Sequence, residues 1–353
     1  MTISGLSPTT ALGPSDAGAA ESAPAPDLSV VMVTYNGREM ALGTLRSAHA
    51  SVGELSVEWI VVDSGSSDGT DEAVREAFPA ATVISGENRG FAAGNNVGLG
   101  LARGRYVLLL NPDVEIERGT FAELVSALDE RPAVGLVSVV QKGADGALQP
   151  SIRRFPSVRR DLGESLFAAR WPIMRTCQEL ETRPKIYHRE GRVDWVVGAF
   201  LLAKAAAIRD VGLMDDEFFL YSEEVDWCYR FRAAGWEVRH LPLMTIIHHA
   251  GRRDRGDLMA QLAYSRRLFA TKHYSWAKAR AIRAALALGH LVRMIALSPA
   301  ALKGPEARER IASERRALAV QMGLADPPRL DAPRAGGLVA QTPSPLSTGR
   351  SLQ

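Results

Sequence analysis

Four short apolar runs, each closing on a polar loop and followed by a helical pattern, constrain this chain more than any other feature. The runs cover residues 29–34, 58–63, 81–85 and 105–110. Apolar strands of this length that alternate with helices bury both faces, so they belong in a mostly parallel sheet joined by right-handed crossovers. Ligands of such sheets bind beyond the carboxyl ends of the strands. Those ends carry the polar residues: Thr34-Tyr35-Asn36 after the first run, residues 63–69 with Asp63 after the second, Asn88-Arg89-Gly90 after the third, and Asn111-Pro112-Asp113 after the fourth. The pattern predicts four loops on one rim.

From Val134 the pattern changes to short strands, a hairpin at Gly143-Ala144-Asp145-Gly146, and an irregular Arg- and Pro-containing stretch to about Arg192 that reads as an insertion facing an acceptor. Residues 199–211 predict a strand and a helix. Ser222 then caps a helix that bears Glu223, Glu224 and Asp226 and stops at Gly235, and two further strands end at His248-His249. Two carboxylates in a first helical turn are explained by the helix dipole. A third exceeds what helix stability needs and points to a general base for a hydroxyl. Asp113, at the end of a buried strand, suits a divalent cation whose shell is completed by phosphate oxygens; in isolation a turn or cap explains it better, but three other polar loops on the same rim favour the cation.

Beyond Gly256 the chain reads as helix. The organisation expected is therefore a tail over residues 1–27, an α/β domain over 28–255, a helical region over 256–324 and a second tail over 325–353, both tails being rich in Ala, Ser, Pro and Gly. The 42 Lys and Arg against 40 Asp and Glu, a net charge of +2, give no reason to expect a nucleic-acid partner. Cys177 and Cys228 have no zinc-like or redox spacing. Residues 1–27 hold neither Lys nor Arg nor an apolar run, so no export signal is read there and a cytoplasmic location is expected. Residues 281–297 are interrupted by Arg283, His290 and Arg293, and on that ground no bilayer span is expected. The Arg and apolar residues interleaved after Trp276 suit helices packed on the catalytic domain with basic outer faces, and peripheral contact with the inner face of a membrane stays open beside that reading.

Five blocks in order resemble the family 2 inverting glycosyltransferases of the GT-A fold, particularly bacterial rhamnosyltransferase-like members. They are residues 30–36, 62–69, 88–98 (Asn88-Arg89-Gly90 through Asn95-Asn96 to Gly98), Leu110-Asn111-Pro112-Asp113, and residues 219–230 around Ser222-Glu223-Glu224-Val225-Asp226. The resemblance spans about residues 28–251. It implies an α/β GT-A fold, with a mostly parallel Rossmann-like sheet, helices on both faces and a C-terminal helical extension. It places Thr34, Tyr35, Asn36, Asp63, Arg89, Asn95 and Asn111 about a nucleotide-sugar, with Asp113 and His248 beside a divalent cation, Mg²⁺ or Mn²⁺. It gives Glu224 as the base, with Asp226 as its rival.

The implied reaction moves a sugar, rhamnose as first guess, from a dTDP- or UDP-linked donor to a saccharide or lipid-linked acceptor, with inversion and without processivity. Two positions depart from the family pattern: Asn111 replaces the first Asp of an Asp-x-Asp element, and Glu223-Glu224 replaces a Glu-Asp pair. A noncatalytic nucleotide-sugar or carbohydrate-binding module of the same fold is the competing reading. A sugar nucleotidyltransferase would want a Gly-rich phosphate loop where Thr34-Tyr35-Asn36 stands.

Overall fold

The computed structural model describes residues 24–166, 177–249, 255–301 and 304–328. The first half runs β1 (Leu28–Thr34), α1 (Arg38–Ala50), β2 (Val57–Asp63), α2 (Thr70–Ala77), β3 (Thr82–Ser85), α3 (Phe91–Leu101), β4 (Tyr106–Leu110), β5 (Val114–Arg118), α4 (Phe121–Asp129) and β6 (Val134–Lys142). Then come β7 (Ile152–Arg153), α5 (Val158–Ser165), α6 (Pro184–Tyr187), β8 (Gly191–Arg192), β9 (Trp195–Val196), β10 (Phe200–Lys204), α7 (Ala205–Val211), α8 (Glu223–Ala233) and β11 (Glu237–His248). Three helices close the chain: α9 (Arg255–His273), α10 (Trp276–Ala301) and α11 (Pro305–Met322).

The main sheet has the order β3-β2-β1-β4-β10-β6-β11-β5, with β8 also on β11. Strands β1, β2, β3, β4, β6 and β11 run one way, and β10, β5 and β8 run against them. This mostly parallel sheet agrees with the fold expected. Its two faces follow the period-2 pattern of the strands. Val30 and Met32 pack into one core with Ala41, Leu42 and Leu45 of α1, whereas Val31 faces the other core with Ala92 and Leu99 of α3. Close approach fixes α3 on β1, because a β-carbon on Gly98 would lie 2.2 Å from a Val31 methyl and one on Gly94 2.8 Å from a Val33 methyl.

Two expectations need correction, and one helix bears on a third. The two strands expected before His249 are one strand, β11, whose register slips between His240 and Thr245. Pro242 has no N–H to give, so the ladder bulges there rather than ending. Ser222 does precede α8, but its φ of 67° is left-handed and its side chain makes no capping bond; its carbonyl takes the Asp226 N–H instead. Finally, α10 is long and apolar enough over Trp276–Ala300 to cross a membrane by length and composition. The charges that argued against a span are carried on the side of α10 that packs inward: Arg293 pairs with Glu314, which also binds His290. The hairpin at residues 143–146 is present, closed by the Gly143 N–H to the Ala147 carbonyl.

Candidate active site

The strand ends meet as expected. Asp63, buried at the end of β2, accepts the Ser66 N–H at 2.8 Å and the Ser66 hydroxyl at 2.5 Å. The Ser66 hydroxyl in turn accepts the Asn36 N–H, while the Asn36 side-chain oxygen accepts the Ser67 N–H at 2.8 Å. The loops after β1 and β2 are thereby tied together, with Asn36 held at a left-handed φ of 49°. The loop after β2 touches the one after β3, since a β-carbon on Gly65 would lie 3.1 Å from the Gly86 carbonyl oxygen. The loop after β3 lies hard against residues 219–222: the Phe91 N–H bonds the Phe219 carbonyl, and Gly90 leaves no room for a side chain, only 2.3 Å from that oxygen. From there α8 begins, and Gly198 packs on the Glu224 side chain while its neighbour Ala199 accepts the Asn111 N–H. Asn111 leads to Asp113, whose carbonyl takes the His249 N–H and whose Oδ1 lies 3.4 Å from His248 Nε2. Seven segments distant in sequence thus adjoin one another, and Asp113 and Glu224 flank the same Gly198-Ala199 turn.

Within this rim, Thr34 Oγ1, Asn111 Oδ1 and Glu224 Oε2 are buried and have no hydrogen-bond partner among the described residues. Such atoms cost free energy unless something pairs with them. Burial pushes the Glu224 carboxyl up, against a smaller opposing pull from backbone N–H groups and Arg153. Glu223 beside it is pushed well up by burial and by the Glu224 charge.

Asp226 is different. Two residues along the helix from Glu224 its side chain lies on another face, where it accepts from Arg230 Nε at 2.7 Å, meets His273 Nε2 at 2.6 Å and sits 3.2 Å from Lys272 Nζ. The bond from His273 and the charges of Arg230 and Lys272 outweigh its burial and hold its pKa at about 2. Its carboxylate belongs to the α8–α9 contact.

The remaining predicted residues separate similarly. Arg89 is outward, its side chain 73% exposed and 3.8 Å from Asp216. Asn95 bonds back to the Phe91 carbonyl in its own helix, and Asn96 clamps Met214 through both side-chain atoms. Tyr35 is half-buried in the first loop. Two residues at the rim escaped sequence reading. Gln149 bonds His248 Nδ1 through Oε1 at 3.1 Å. Arg153 stacks on Trp195 and bonds Glu179 at 3.2 Å while its charge reaches Glu224. Both stand in the irregular insertion, where no periodicity marks which side chain turns inward.

Among the described residues no three His, Cys, Asp or Glu side chains converge on a point that could hold a metal ion. The donors present are Asp113, His248 and the unpartnered Asn111 oxygen. That set is incomplete for a cation held by protein alone and fits one that shares its shell with phosphate oxygens.

A mostly parallel sheet of this topology, with its polar loops gathered at the strand ends, has the GT-A fold. Residues 29–200 match the family model described as glycosyl transferase family 2, and the chain accordingly carries a glycosyltransferase domain of that family. It is similar to the N-acetylglucosaminyl-diphospho-decaprenol L-rhamnosyltransferase of Mycobacterium tuberculosis, 28% identical over 285 residues, which cover 75% of this chain and 92% of that one. It is also similar to the rhamnosyltransferase WbbL of Escherichia coli, 25% identical over 186 residues, covering 50% of this chain and 67% of the relative. Among solved structures, a mannosyltransferase from Pyrobaculum calidifontis in complex with GDP-Man and Mn²⁺ shares the fold. Its TM-score is 0.52 at 17% identity, covering 85% of this chain and 87% of that one. The family match ends before α8, so Glu224 and His248 lie outside it.

Proposed function

We propose that this protein transfers a sugar, with inversion, from a nucleoside-diphosphate donor to a hydroxyl of a saccharide or lipid-linked acceptor. Rhamnose from a dTDP- or UDP-linked donor is the first choice, by likeness to the two rhamnosyltransferases. The observation that carries the reading is the set of three buried, unpartnered oxygens, Thr34 Oγ1, Asn111 Oδ1 and Glu224 Oε2, on a single rim. Their lone pairs are available to water or to the polar groups of a ligand bound at the strand ends.

In this reading Thr34 and the loop braced by Asp63 and Asn36 receive the nucleoside. Asp113, His248 and Asn111 hold a divalent cation. Gln149 Oε1 lies 3.1 Å from His248 Nδ1, which leaves Nε2 as the ring nitrogen that faces Asp113 and would meet a cation. The cation, when bound, offsets charge on the departing diphosphate. Glu224 takes the proton of the acceptor hydroxyl as that oxygen attacks the anomeric carbon from the face opposite the diphosphate. Burial raises the basicity of its carboxylate, which suits a general base. Gly198 lies beside Glu224, where an added β-carbon would stand at ordinary contact distance, 3.8 Å, from the Glu224 Cβ.

The test is a thermal-shift panel of dTDP-, UDP- and GDP-sugars with and without Mg²⁺ or Mn²⁺, followed by donor-dependent release of nucleoside diphosphate. Selective, metal-dependent stabilisation with turnover supports transfer. Stabilisation without turnover toward any acceptor favours a binding module, and no stabilisation by any nucleotide-sugar defeats the reading.

A further inference from the structure

Helix α10 is apolar on both sides. Its inner side, with Ala279, Ile282, Ala285, Ala287 and His290, is buried, and it packs on α5, α9 and α11. Its outer side carries Trp276, Arg280, Ala284, Leu288, Leu291 and Ile295, all exposed at steps of three or four residues, one helical face. Trp276 is 74% and Ile295 72% exposed. No described residue covers this exposed, largely apolar stripe. The stripe widens onto α5. Ser165 bonds the Ala285 carbonyl at 2.7 Å, and its flanking residues Leu162 and Leu166 are exposed as well.

Charge identifies the occupant. Residues 256–324 hold 12 Lys and Arg against 4 Asp and Glu; Arg266, Lys272 and Arg293 are held in ion pairs within the fold, while Arg280 stands on the exposed stripe. A second copy docking symmetrically would bring two such basic regions together, whereas an anionic lipid surface is drawn to one. At the amino end of the stripe the Arg280 guanidinium lies 4.9 Å over the Trp276 ring, an aromatic and a cation of the kind that sit at a headgroup boundary. The stripe from Trp276 to Ile295 extends about 28 Å at about 1.5 Å per residue. With its other side fixed against three helices, α10 must lie along a bilayer and not through it.

We propose that the outer face of α10, extended by Leu162 and Leu166, docks the protein in the plane of an anionic membrane surface. This goes beyond the sugar-transfer reading and does not depend on it. The experiment is co-flotation of the full chain with vesicles of phosphatidylcholine alone or of phosphatidylcholine with phosphatidylglycerol, scored beside diphosphate release with a water-soluble acceptor. The wild type is expected to float with the anionic vesicles and to be released by high salt. The triple variant Leu288→Glu, Leu291→Glu, Ile295→Glu is expected to lose at least about tenfold in bound fraction, with unchanged turnover of the soluble acceptor and unchanged thermal midpoint. A milder variant, Ile295→Ser, covers the case in which three charges disturb folding; it should bind more weakly while remaining folded. Equal flotation of folded variants and wild type overturns the proposal. So does a wild type that ignores anionic vesicles, or one that sediments as a dimer dissolved by the same substitutions. Loss of diphosphate release with vesicle binding intact would strike the sugar-transfer reading alone.

Discussion

Asp226→Asn removes the charge from a fully buried carboxylate held by Arg230, His273 and Lys272. Its pKa stands at about 2 against an ordinary 3.8. At about 1.4 kcal/mol per unit, that difference is worth about 2 kcal/mol of stability at neutral pH. Breaking a wholly buried ion pair costs about 3–5 kcal/mol, but Arg230 and Lys272 are 23% and 34% exposed and water can rehydrate them, so the lower figure is expected. The sign follows from linkage. The folded pKa lies below the unfolded one, so the stabilisation is complete above the unfolded value and is lost as pH falls from 3.8 toward about 2. Urea denaturation of both proteins should show the variant about 2 kcal/mol weaker at pH 7, with the gap closing on acidification, while turnover per folded molecule stays within a few-fold of wild type. Equal stability at neutral pH, or a collapse of turnover in a protein of unchanged stability, would refute the assignment and return Asp226 to contention as the base.

The other predictions concern the rim and the sheet beneath it. Glu224→Gln should lower kcat by about 10²–10⁴-fold with little change in donor binding by calorimetry. Because the folded pKa of Glu224 is raised, wild-type stability should fall as pH rises from the unfolded carboxylate value through the folded one, and the Gln variant should melt higher than wild type at neutral pH. Wild-type kcat should rise with pH over that same range and level off above it. Asp113→Ala should abolish the metal-dependent part of donor binding and leave a weaker, metal-independent remainder measurable by thermal shift. Gly98→Ala, which sets a methyl 2.2 Å from Val31 Cγ1, should cost about 1–3 kcal/mol in urea denaturation, and an unchanged midpoint would mean that α3 can slide on β1.

Much of the sheet was legible because its cause is local. Strands buried on both faces must be continuously apolar, as Val30 to Val33 and Tyr106 to Leu110 are, and the residue that ends such a run must be where the polar chemistry begins. Thr34, Asp63, Asn111 and Asp113 could therefore be picked from the chain alone, and the acidic start of α8 could be seen as more than a helix requires. Which of those acids faces the rim was not written in their spacing. Glu224 and Asp226 differ by two positions, and the packing of α9, which brings His273 and Lys272 to one of them, decides that Asp226 is held by charged partners while Glu224 keeps one buried oxygen, Oε2, without a partner. The same holds for Gln149 and Arg153, since long-range pairing of β7 with β9 and of His248 with Gln149 joins residues up to 99 positions apart. Sequence determines what a residue can do through its own chemistry and its neighbours along the chain. Tertiary structure decides which of two like groups water, a cation or a substrate will reach, because burial and pairing depend on what the rest of the chain sets against them.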